Sequence, residues 1–247
     1  MGLLLHLVGI AVFGGCTYYE TYHLLENAKL VQDHPVIKEL FSVRPQWGGR
    51  WKFLTVWGLT VQLVYNILAA INDVFGTSTV VYSATSRLQR LRDVFFTALS
   101  LPIAMVVCIL FWGMYAISRE LVFPEVMDLF YPSALNHGVH TAPVVLALLE
   151  LVLVPHHFSS HHVSLALLVL FLGAYLAWTM YLALVAELWV YGVMKVLSWP
   201  LRIAFMAANL AFAIGLYLLG KKLDHIVWGK QKADAAAADQ RRAKKHR

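Results

Sequence analysis

The stretch VFFTALSLPIAMVVCILFWGMYAI, residues Val94 to Ile117, decides the class of fold. It contains no charged side chain and is longer than the roughly 20 apolar residues that cross a bilayer as a helix. Pro102 within it predicts a kink, which membrane helices tolerate. In the whole 247-residue chain, 60% of residues are hydrophobic and 14% are charged, whereas about 25% of a typical soluble domain is charged. We therefore expect an all-α integral membrane protein.

Apolar segments on both sides of this stretch predict about six transmembrane helices that pack as a compact helical bundle. The six segments are residues 2–19, 53–72, 94–117, 139–154, 163–186 and 203–220. The loop 20–52 is the longest and the only one that could hold a small amphipathic helix, and the Trp- and Tyr-rich loop 187–201 suits the membrane interface. We expect residues 1–228 to form a single transmembrane domain and residues 229–247 to form a basic, disordered tail.

Basic residues are concentrated after the last predicted span. Nine of the 20 Lys and Arg residues lie between Lys221 and Arg247, so the net charge of +6 does not describe a folded basic face that would bind nucleic acid. The positive-inside rule places this tail in the cytoplasm, and six spans then place both termini there. The Lys-Lys-x-x sequence at 244–247 is similar to a dilysine retrieval signal. The expected location is the endoplasmic reticulum, another endomembrane or the plasma membrane.

Two polar segments stand where predicted spans begin. Residues 48–55, GGRWKFLT, open the second span, and residues 135–141, LNHGVHT, open the fourth. The fourth-span segment contains His137 and His140, which a helix would place on one face. Both spans run in the same direction through the membrane, so their first residues lie on the same side. Thr55 and His140 are therefore expected at similar depth.

This pairing favours nucleophilic acyl transfer. A threonine hydroxyl is a poor nucleophile until a base removes its proton, and histidine, with an unperturbed pKa of about 6.5, is the usual base at neutral pH. Asn136, a histidine N–H or free N–H groups at a helix start are candidates for stabilising the oxyanion. Arg50 or Lys52 is placed to hold an anionic head group while apolar helices line the acyl chain.

Each of these residues also has a structural interpretation. A threonine in a membrane helix usually donates its hydroxyl to a backbone carbonyl one turn earlier, and Thr60, Thr97 and Thr179 are equally plausible by composition. A histidine near a membrane boundary is often a packing or interfacial residue. Ionisable groups inside membranes are functional by default, but Glu150 lies about 15 Å along a helix from His140. We therefore assign Glu150 to packing or to the far side of the bundle.

A histidine-rich stretch leaves metal catalysis open as an alternative. The histidines concerned are His137, His140, His156, His157, His161 and His162. His157 and His161 have the i, i+4 spacing of helical metal ligands. However, a span of about 24 Å separates His140 from the connector histidines, which lie at 156–162 between the fourth and fifth spans. No acidic residue is close enough in sequence to orient a ligand. We expect the connector histidines to be solvated turn residues and the protein to use no metal.

Several motifs resemble one known family. They are Gly-Gly-x-Trp-Lys-x-Leu-Thr (48–55), Phe-Trp-x-x-Tyr-Ala (111–116), Arg-Glu (119–120), Leu-Asn-His-Gly-x-His-Thr (135–141), Trp-Val-Tyr (189–191) and Tyr-Leu-Leu-Gly (217–220). In this order they resemble the androgen-induced gene one and androgen-dependent TFPI-regulating protein family. The resemblance covers about residues 47–228 and leaves out the loop 20–46 and the tail.

The resemblance implies a membrane hydrolase that cleaves fatty acid esters of hydroxy fatty acids with a threonine nucleophile and a histidine. Carried over by motif, the threonine is Thr55 and the histidine is His140, while Asn136, His137 and Thr141 match as supporting groups. The implied substrate is a lipid with a free carboxylate, and we expect no cofactor. Two alternatives stay open: a lipid-binding or regulatory membrane protein without turnover, and a His-ligated metal lipid oxidoreductase.

Overall fold

The computed structural model describes residues 2–24, 26–27, 48–158 and 160–245, with side chains as far as Arg241. Helices make up most of this part of the chain. They are α1 (Gly2–Tyr22), α2 (Leu54–Phe75), α3 (Arg87–Ile117), α4 (Ser133–His140), α5 (Ala142–Leu153), α6 (His161–Val185), α7 (Gly192–Val196) and α8 (Trp199–Lys245). Short 3-10 helices lie in the connections at Gly49–Lys52, Tyr82–Ala84, Arg119–Leu121 and Glu125–Leu129.

Five of these helices, α1, α2, α3, α6 and α8, are long and apolar enough to cross a membrane. The consecutive helices α4 and α5 are bent by 42° at their junction and together would make a sixth span. This confirms the predicted class, an all-α membrane protein with about six spans. The segment 28–47, which holds most of the loop where an amphipathic helix was considered possible, lies outside the described residues.

The fourth span begins at Ser133 rather than Val139 and is broken at Thr141. Pro143 lies in the first turn of α5, where its missing N–H needs no partner. In a continuous helix its ring would clash with a carbonyl one turn earlier. The break therefore separates the segment that carries the histidine pair from the apolar helix that follows.

The central helix α3 begins earlier than the apolar pattern indicated, at Arg87 rather than Val94. The Ser86 hydroxyl accepts a hydrogen bond from the Gln89 N–H at 3.1 Å and caps the helix. The predicted loop before this span is therefore shorter. As a result Arg92, expected in a loop, is fully buried inside the bundle.

The irregularity expected at Pro102 takes the form of a π-helical segment, Phe96–Ser100, directly before it. Such a segment changes the hydrogen-bond register and leaves polar groups that need other partners. Gln62 of α2 supplies them, because its amide donates to the Ser100 carbonyl at 2.8 Å and accepts from the Ser100 hydroxyl at 2.8 Å. This reciprocal pair fixes α2 against α3 in the interior.

The last helix, α8, continues past the membrane span to Lys245. Its far part contains the alanine-rich run 233–238, and alanine has the highest helix propensity of all residues. Side chains also fasten this part to the bundle, since Trp228 donates to the Leu151 carbonyl at 2.8 Å and Lys232 donates to the His156 carbonyl at 2.5 Å. The structure therefore has a helix over most of the tail for which disorder was expected.

Close packing of α1 against α4 places α1 beside the histidine segment. A Cβ at Gly138 would lie 2.6 Å from the Cys16 sulfur, so this contact requires a glycine. The surrounding core is aromatic and aliphatic: Phe13, Leu59, Phe111, Phe123, Phe130, Tyr131, Leu135 and Val139. This core holds the segment that presents His140.

Candidate active site

Thr55 is the second residue of α2 and follows a glycine turn. Gly48 and Gly49 have φ angles of +77° and +48°, a region that glycine enters without the steric cost of a Cβ. Phe53 then precedes α2 in an extended conformation. In this position the Thr55 hydroxyl oxygen lies 3.1 Å from Nε2 of His140. The structure thus brings together the two residues that the sequence placed at similar depth.

His140 is buried, and its ring is held in a defined orientation. Its Nδ1 lies 2.7 Å from Oδ1 of Asn136 and 3.0 Å from the carbonyl oxygen of the same residue. Both oxygens can only accept a hydrogen bond, so Nδ1 carries the proton of the neutral ring. Nε2 then has the lone pair that accepts the Thr55 hydroxyl proton. Phe111 stacks on the imidazole with ring centroids 3.4 Å apart. This tautomer is the one that a general base requires.

The other candidate threonines make local hydrogen bonds. Thr60, Thr97 and Thr179 bond a backbone carbonyl three or four residues earlier in their own helices, at 2.9, 3.5 and 2.9 Å. Such contacts are the usual fate of a threonine hydroxyl in a helix. Thr55 differs from these three because its hydroxyl faces an imidazole.

A cavity of about 590 Å³ lies beside the Thr–His pair, within the roughly 300–1,000 Å³ that is usual for ligand sites. Thr55 and His140 both form part of its wall. Helices α2, α3, α6 and α8 supply most of the remaining wall, which is mainly apolar. Representative lining residues are Leu110, Leu172, Met194, Met206 and Leu210. Such a wall suits hydrocarbon chains.

One group of polar side chains in the cavity wall consists of Glu20, Arg50 and Tyr131. Tyr131 donates its hydroxyl to Oε1 of Glu20 at 2.9 Å, and the Arg50 guanidinium lies 4.0 Å from Oε2. Oε2 is buried and has no hydrogen-bond partner among the described residues. Arg50 also donates to the Thr17 carbonyl at 3.0 Å and the Thr21 hydroxyl at 2.5 Å. Arg50 therefore supplies a positive charge at the wall, held in place by α1.

Three predicted site residues, Asn136, Lys52 and His137, are not part of the cavity wall, and of these only Asn136 contacts His140. The Lys52 ammonium lies 5.3 Å from the centroid of the Phe53 ring, and burial lowers the pKa of this lysine. His137 is exposed, stacks on Trp112 with ring centroids 5.1 Å apart, and has its Nδ1 3.1 Å from the Thr141 hydroxyl. The structure does not bring the side chain of Lys52 or His137 to the reacting pair.

The site contains two tyrosines, Tyr175 and Tyr191, that the sequence analysis did not assign to it. The Tyr191 hydroxyl accepts the Leu54 N–H at 3.2 Å, in the first turn of α2. It also lies 2.9 Å from the Tyr175 hydroxyl, which donates to the Lys52 carbonyl at 3.0 Å. Both tyrosines line the cavity, and burial raises the pKa of Tyr191. The Trp-Val-Tyr motif at 189–191 was the available signal for this contact.

A second group of ionisable side chains lies at the other end of α5 from His140. Oε1 of Glu150 accepts the Tyr65 hydroxyl at 2.5 Å and lies 3.1 Å from Nε2 of His156. Its Oε2 lies 2.9 Å from Nε2 of His6. All four side chains are buried. Glu150 therefore belongs to the far side of the bundle, as expected.

Carboxylates also face the remaining nitrogens of these two histidines. Nδ1 of His6 lies 2.7 Å from Asp73, and Nδ1 of His156 lies 3.1 Å from Asp93. Arg92 donates to the same Asp93 oxygen at 2.7 Å. The expectation that the connector histidines are solvated is wrong for His156, which is fully buried. The reason is the early start of α3, which carries its partner Asp93 into the bundle.

Within the part of the chain that the structure describes, no group of three or more His, Cys, Asp or Glu is arranged to hold a metal ion. The two histidines with helical ligand spacing have other contacts. Nε2 of His157 lies 3.1 Å from the Thr79 carbonyl, and Nε2 of His161 lies 2.7 Å from the Lys221 ammonium.

The fold and the site define a multi-pass membrane protein with a threonine–histidine pair beside an apolar cavity. The chain belongs to the FAR-17a/AIG1-like protein family, which it matches over residues 1–225. It is 34% identical over 182 residues to the androgen-dependent TFPI-regulating protein of Homo sapiens, covering 74% of this chain and 79% of that protein. It is 31% identical over 193 residues to the androgen-induced gene 1 protein of Homo sapiens, covering 76% and 81%. No solved structure matches the chain. These findings confirm the family resemblance.

Proposed function

We propose that this protein is an intramembrane lipid ester hydrolase in which Thr55 is the nucleophile and His140 is the general base. The observation that carries the proposal is the 3.1 Å contact between the Thr55 hydroxyl and Nε2 of His140 at the wall of an apolar cavity. The contact of Asn136 with Nδ1 supports it, because it leaves the lone pair on Nε2. Family membership supports a membrane lipid hydrolase-related role.

The reaction has two steps. In the first step Nε2 of His140 accepts the Thr55 proton while the hydroxyl oxygen attacks the ester carbonyl carbon. The bond to the alcohol oxygen breaks, His140 gives this oxygen its proton, and an acyl-threonine remains. In the second step His140 takes a proton from water, whose oxygen attacks the acyl carbonyl. The Thr55 oxygen then leaves and regains a proton, and the fatty acid is released.

The negative charge on the carbonyl oxygen requires donors that already point at it. The first N–H groups of a helix have no partner within the helix, and Thr55 lies in the first turn of α2. The Tyr191 hydroxyl stands at the same turn through its contact with Leu54. We assign the oxyanion site to the N–H groups of this turn, and Tyr191 holds the turn in place by accepting the Leu54 N–H. Asn136, the earlier candidate, is instead engaged with His140.

The substrate that we propose is a fatty acid ester of a hydroxy fatty acid. Such a molecule has two hydrocarbon chains and a free carboxylate. The apolar wall of the cavity suits the chains, and Arg50 offers the carboxylate a guanidinium. Lys52 was an alternative partner, but it does not line the cavity.

We also propose an endomembrane or plasma-membrane location with both termini in the cytoplasm. The concentration of basic residues after the membrane span of α8 supports this orientation. Protease protection of tags at the two termini in sealed vesicles tests it. Tags on opposite sides of the membrane would contradict the orientation and the count of six spans.

The experiment for the catalytic assignment is hydrolysis of a branched fatty acid ester by purified protein, with Thr55→Ala and His140→Ala beside wild type. Loss of a general base costs about 10²–10⁴-fold in rate, so we expect that loss for His140→Ala and background activity for Thr55→Ala. Thr60→Ala is the matched control, because Thr60 lies on the same helix and bonds the backbone. Equal activity in all four proteins would place the reaction elsewhere.

A lipid-binding or regulatory protein without turnover is the second candidate, because an apolar cavity of about 590 Å³ also suits a bound lipid. A fluorophosphonate probe separates the two functions, since covalent labelling requires an activated hydroxyl. Binding of a fluorescent fatty acid without any labelling of Thr55 would favour the binding protein.

A further inference from the structure

Helices α6 and α8 carry residues that line the cavity and are also exposed, which indicates that the cavity opens to the outside between these two helices. Five residues that line it are also exposed there, and all five are apolar: Val169, Gly173, Leu176, Ile203 and Ala207. Of the three branched residues among these, Ile203 is the most exposed, at 60%. Both helices are long and apolar enough to cross a membrane. This opening therefore faces hydrocarbon, not water.

The two helices contact each other directly on one side of the opening, and on the other side α8 contacts the chain that connects them. Toward the start of α6, His161 contacts the Tyr217 hydroxyl at 3.4 Å and the Lys221 ammonium at 2.7 Å. At the start of α8, the Arg202 guanidinium lies 3.9 Å from the centroid of the Trp189 ring and donates to the Met194 carbonyl at 2.8 Å. The opening is thus a bounded window in the side of the bundle and not a frayed helix pair.

Gly173 lies on the α6 side of this window. A Cβ built at this position meets no atom within 4 Å, although the residue lines the cavity. A larger side chain would therefore project into the opening without displacing packed protein. Gly215 on α8 is a matched position, because its added Cβ also meets nothing within 4 Å, it is exposed, and it does not line the cavity.

We propose that the window between α6 and α8 is the entrance through which a hydrocarbon chain of the ester passes from the bilayer to Thr55. This inference rests on the proposed hydrolase function. Its chemical basis is the apolar character of the window, since a chain that moves from lipid into an apolar opening exposes no polar group. Gly173 is then a residue that determines the size of chain accepted.

The test compares Gly173→Leu with Gly215→Leu on two substrates. One is a long-chain branched fatty acid ester in lipid vesicles, and the other is water-soluble p-nitrophenyl acetate. Adding or removing a methylene in an apolar site changes specificity by about 10–200-fold. We expect a loss of this size in kcat/KM for Gly173→Leu on the long ester, with p-nitrophenyl acetate hydrolysed as by wild type. Gly215→Leu should match wild type on both.

Three outcomes have separate meanings. If wild type hydrolyses both esters and Gly173→Leu does so equally well, the window is overturned while the hydrolase stands. Loss of both activities in Gly173→Leu also overturns it, because the effect is then not one of chain access. If wild type hydrolyses neither ester, the proposed function fails.

A second measurement does not depend on turnover. A palmitic acid that carries a photoactivatable diazirine is cross-linked to the protein in vesicles, and the modified peptides are mapped. Labelling of residues 169–176 and 203–207 that Gly173→Leu abolishes and Gly215→Leu keeps is the expected result. Labelling that Gly173→Leu leaves unchanged contradicts the entrance.

Discussion

The Phe111 ring lies flat on the imidazole of His140, with centroids 3.4 Å and planes 9° apart. Together with the hydrogen bond from Nδ1 to Asn136, this contact leaves the imidazole with one orientation, in which Nε2 faces Thr55. A base that is fixed in this way needs no reorientation before it accepts a proton.

Replacing Phe111 by Leu should lower kcat and leave KM nearly unchanged. Leucine keeps most of the apolar volume but cannot stack on the ring, so His140 gains rotational freedom. Misplacement of a catalytic group by about 1 Å can cost roughly 10²-fold in rate. Steady-state kinetics on the branched ester measures the change. An equal rise in KM would instead show that Phe111 contributes to substrate binding.

Replacing Asn136 by Leu should lower kcat roughly tenfold, because Nδ1 loses the side-chain acceptor at 2.7 Å and keeps only the backbone carbonyl at 3.0 Å, which holds the ring and its tautomer less firmly. Asn136→Asp keeps an acceptor at the same place and should restore much of the rate. Kinetics and fluorophosphonate labelling of Thr55 are measured for both variants. Together they distinguish a loss of His140 orientation from misfolding of the protein. If Asn136→Asp is as inactive as Asn136→Leu, the acceptor role is not supported.

The charges at the cavity wall should affect only substrates with a free carboxylate. A hydrogen bond to a charged group is worth about 1.5–3 kcal/mol, so Arg50→Gln should raise KM for the acid substrate roughly tenfold or more. Glu20→Gln removes the negative charge near the guanidinium and should lower that KM. The methyl ester of the same lipid is the control, because neither variant should change its KM. A similar shift for both substrates would remove Arg50 from carboxylate recognition.

Glu150→Gln should destabilise the fold without affecting the reaction itself. Glu150 is buried, with only 2% of its surface exposed, and it contacts His6 and His156. Breaking a buried ion pair typically costs about 3–5 kcal/mol, and thermal unfolding in detergent measures the loss. Asp234→Asn, at an exposed position on α8, is the control and should stay within about 0.5 kcal/mol of wild type. Normal stability with low activity would mean that this group belongs to the catalytic machinery.

The apolar runs and their lengths predicted the membrane class and the number of spans, because the thickness of the bilayer sets how many apolar residues a spanning helix needs. They did not predict where α3 begins. Arg92 and Asp93 count as loop residues in a hydropathy pattern, yet their mutual ion pair lets them enter the bundle. The same limitation hid the burial of His156, whose partner Asp93 is distant in sequence.

At the candidate site, the direction of the predicted spans and the family motif each contributed to the choice of Thr55 and His140. Because the second and fourth spans run in the same direction, Thr55 and His140 were expected on one side of the membrane. The family motif then distinguished them from the other threonines and histidines. Neither could show that His137, only three residues from His140, turns outward to Trp112. Tyr191 was also missed, because its contact with Leu54 depends on how the chain after α6 returns to the start of α2.

The most direct measurement is peptide mapping by mass spectrometry after reaction with a fluorophosphonate probe. We predict one adduct, on the hydroxyl of Thr55. This adduct should be absent from His140→Ala and present in Thr60→Ala. An adduct on a different residue, or labelling of Thr55 that persists without His140, would contradict the proposal that these two side chains form the catalytic pair.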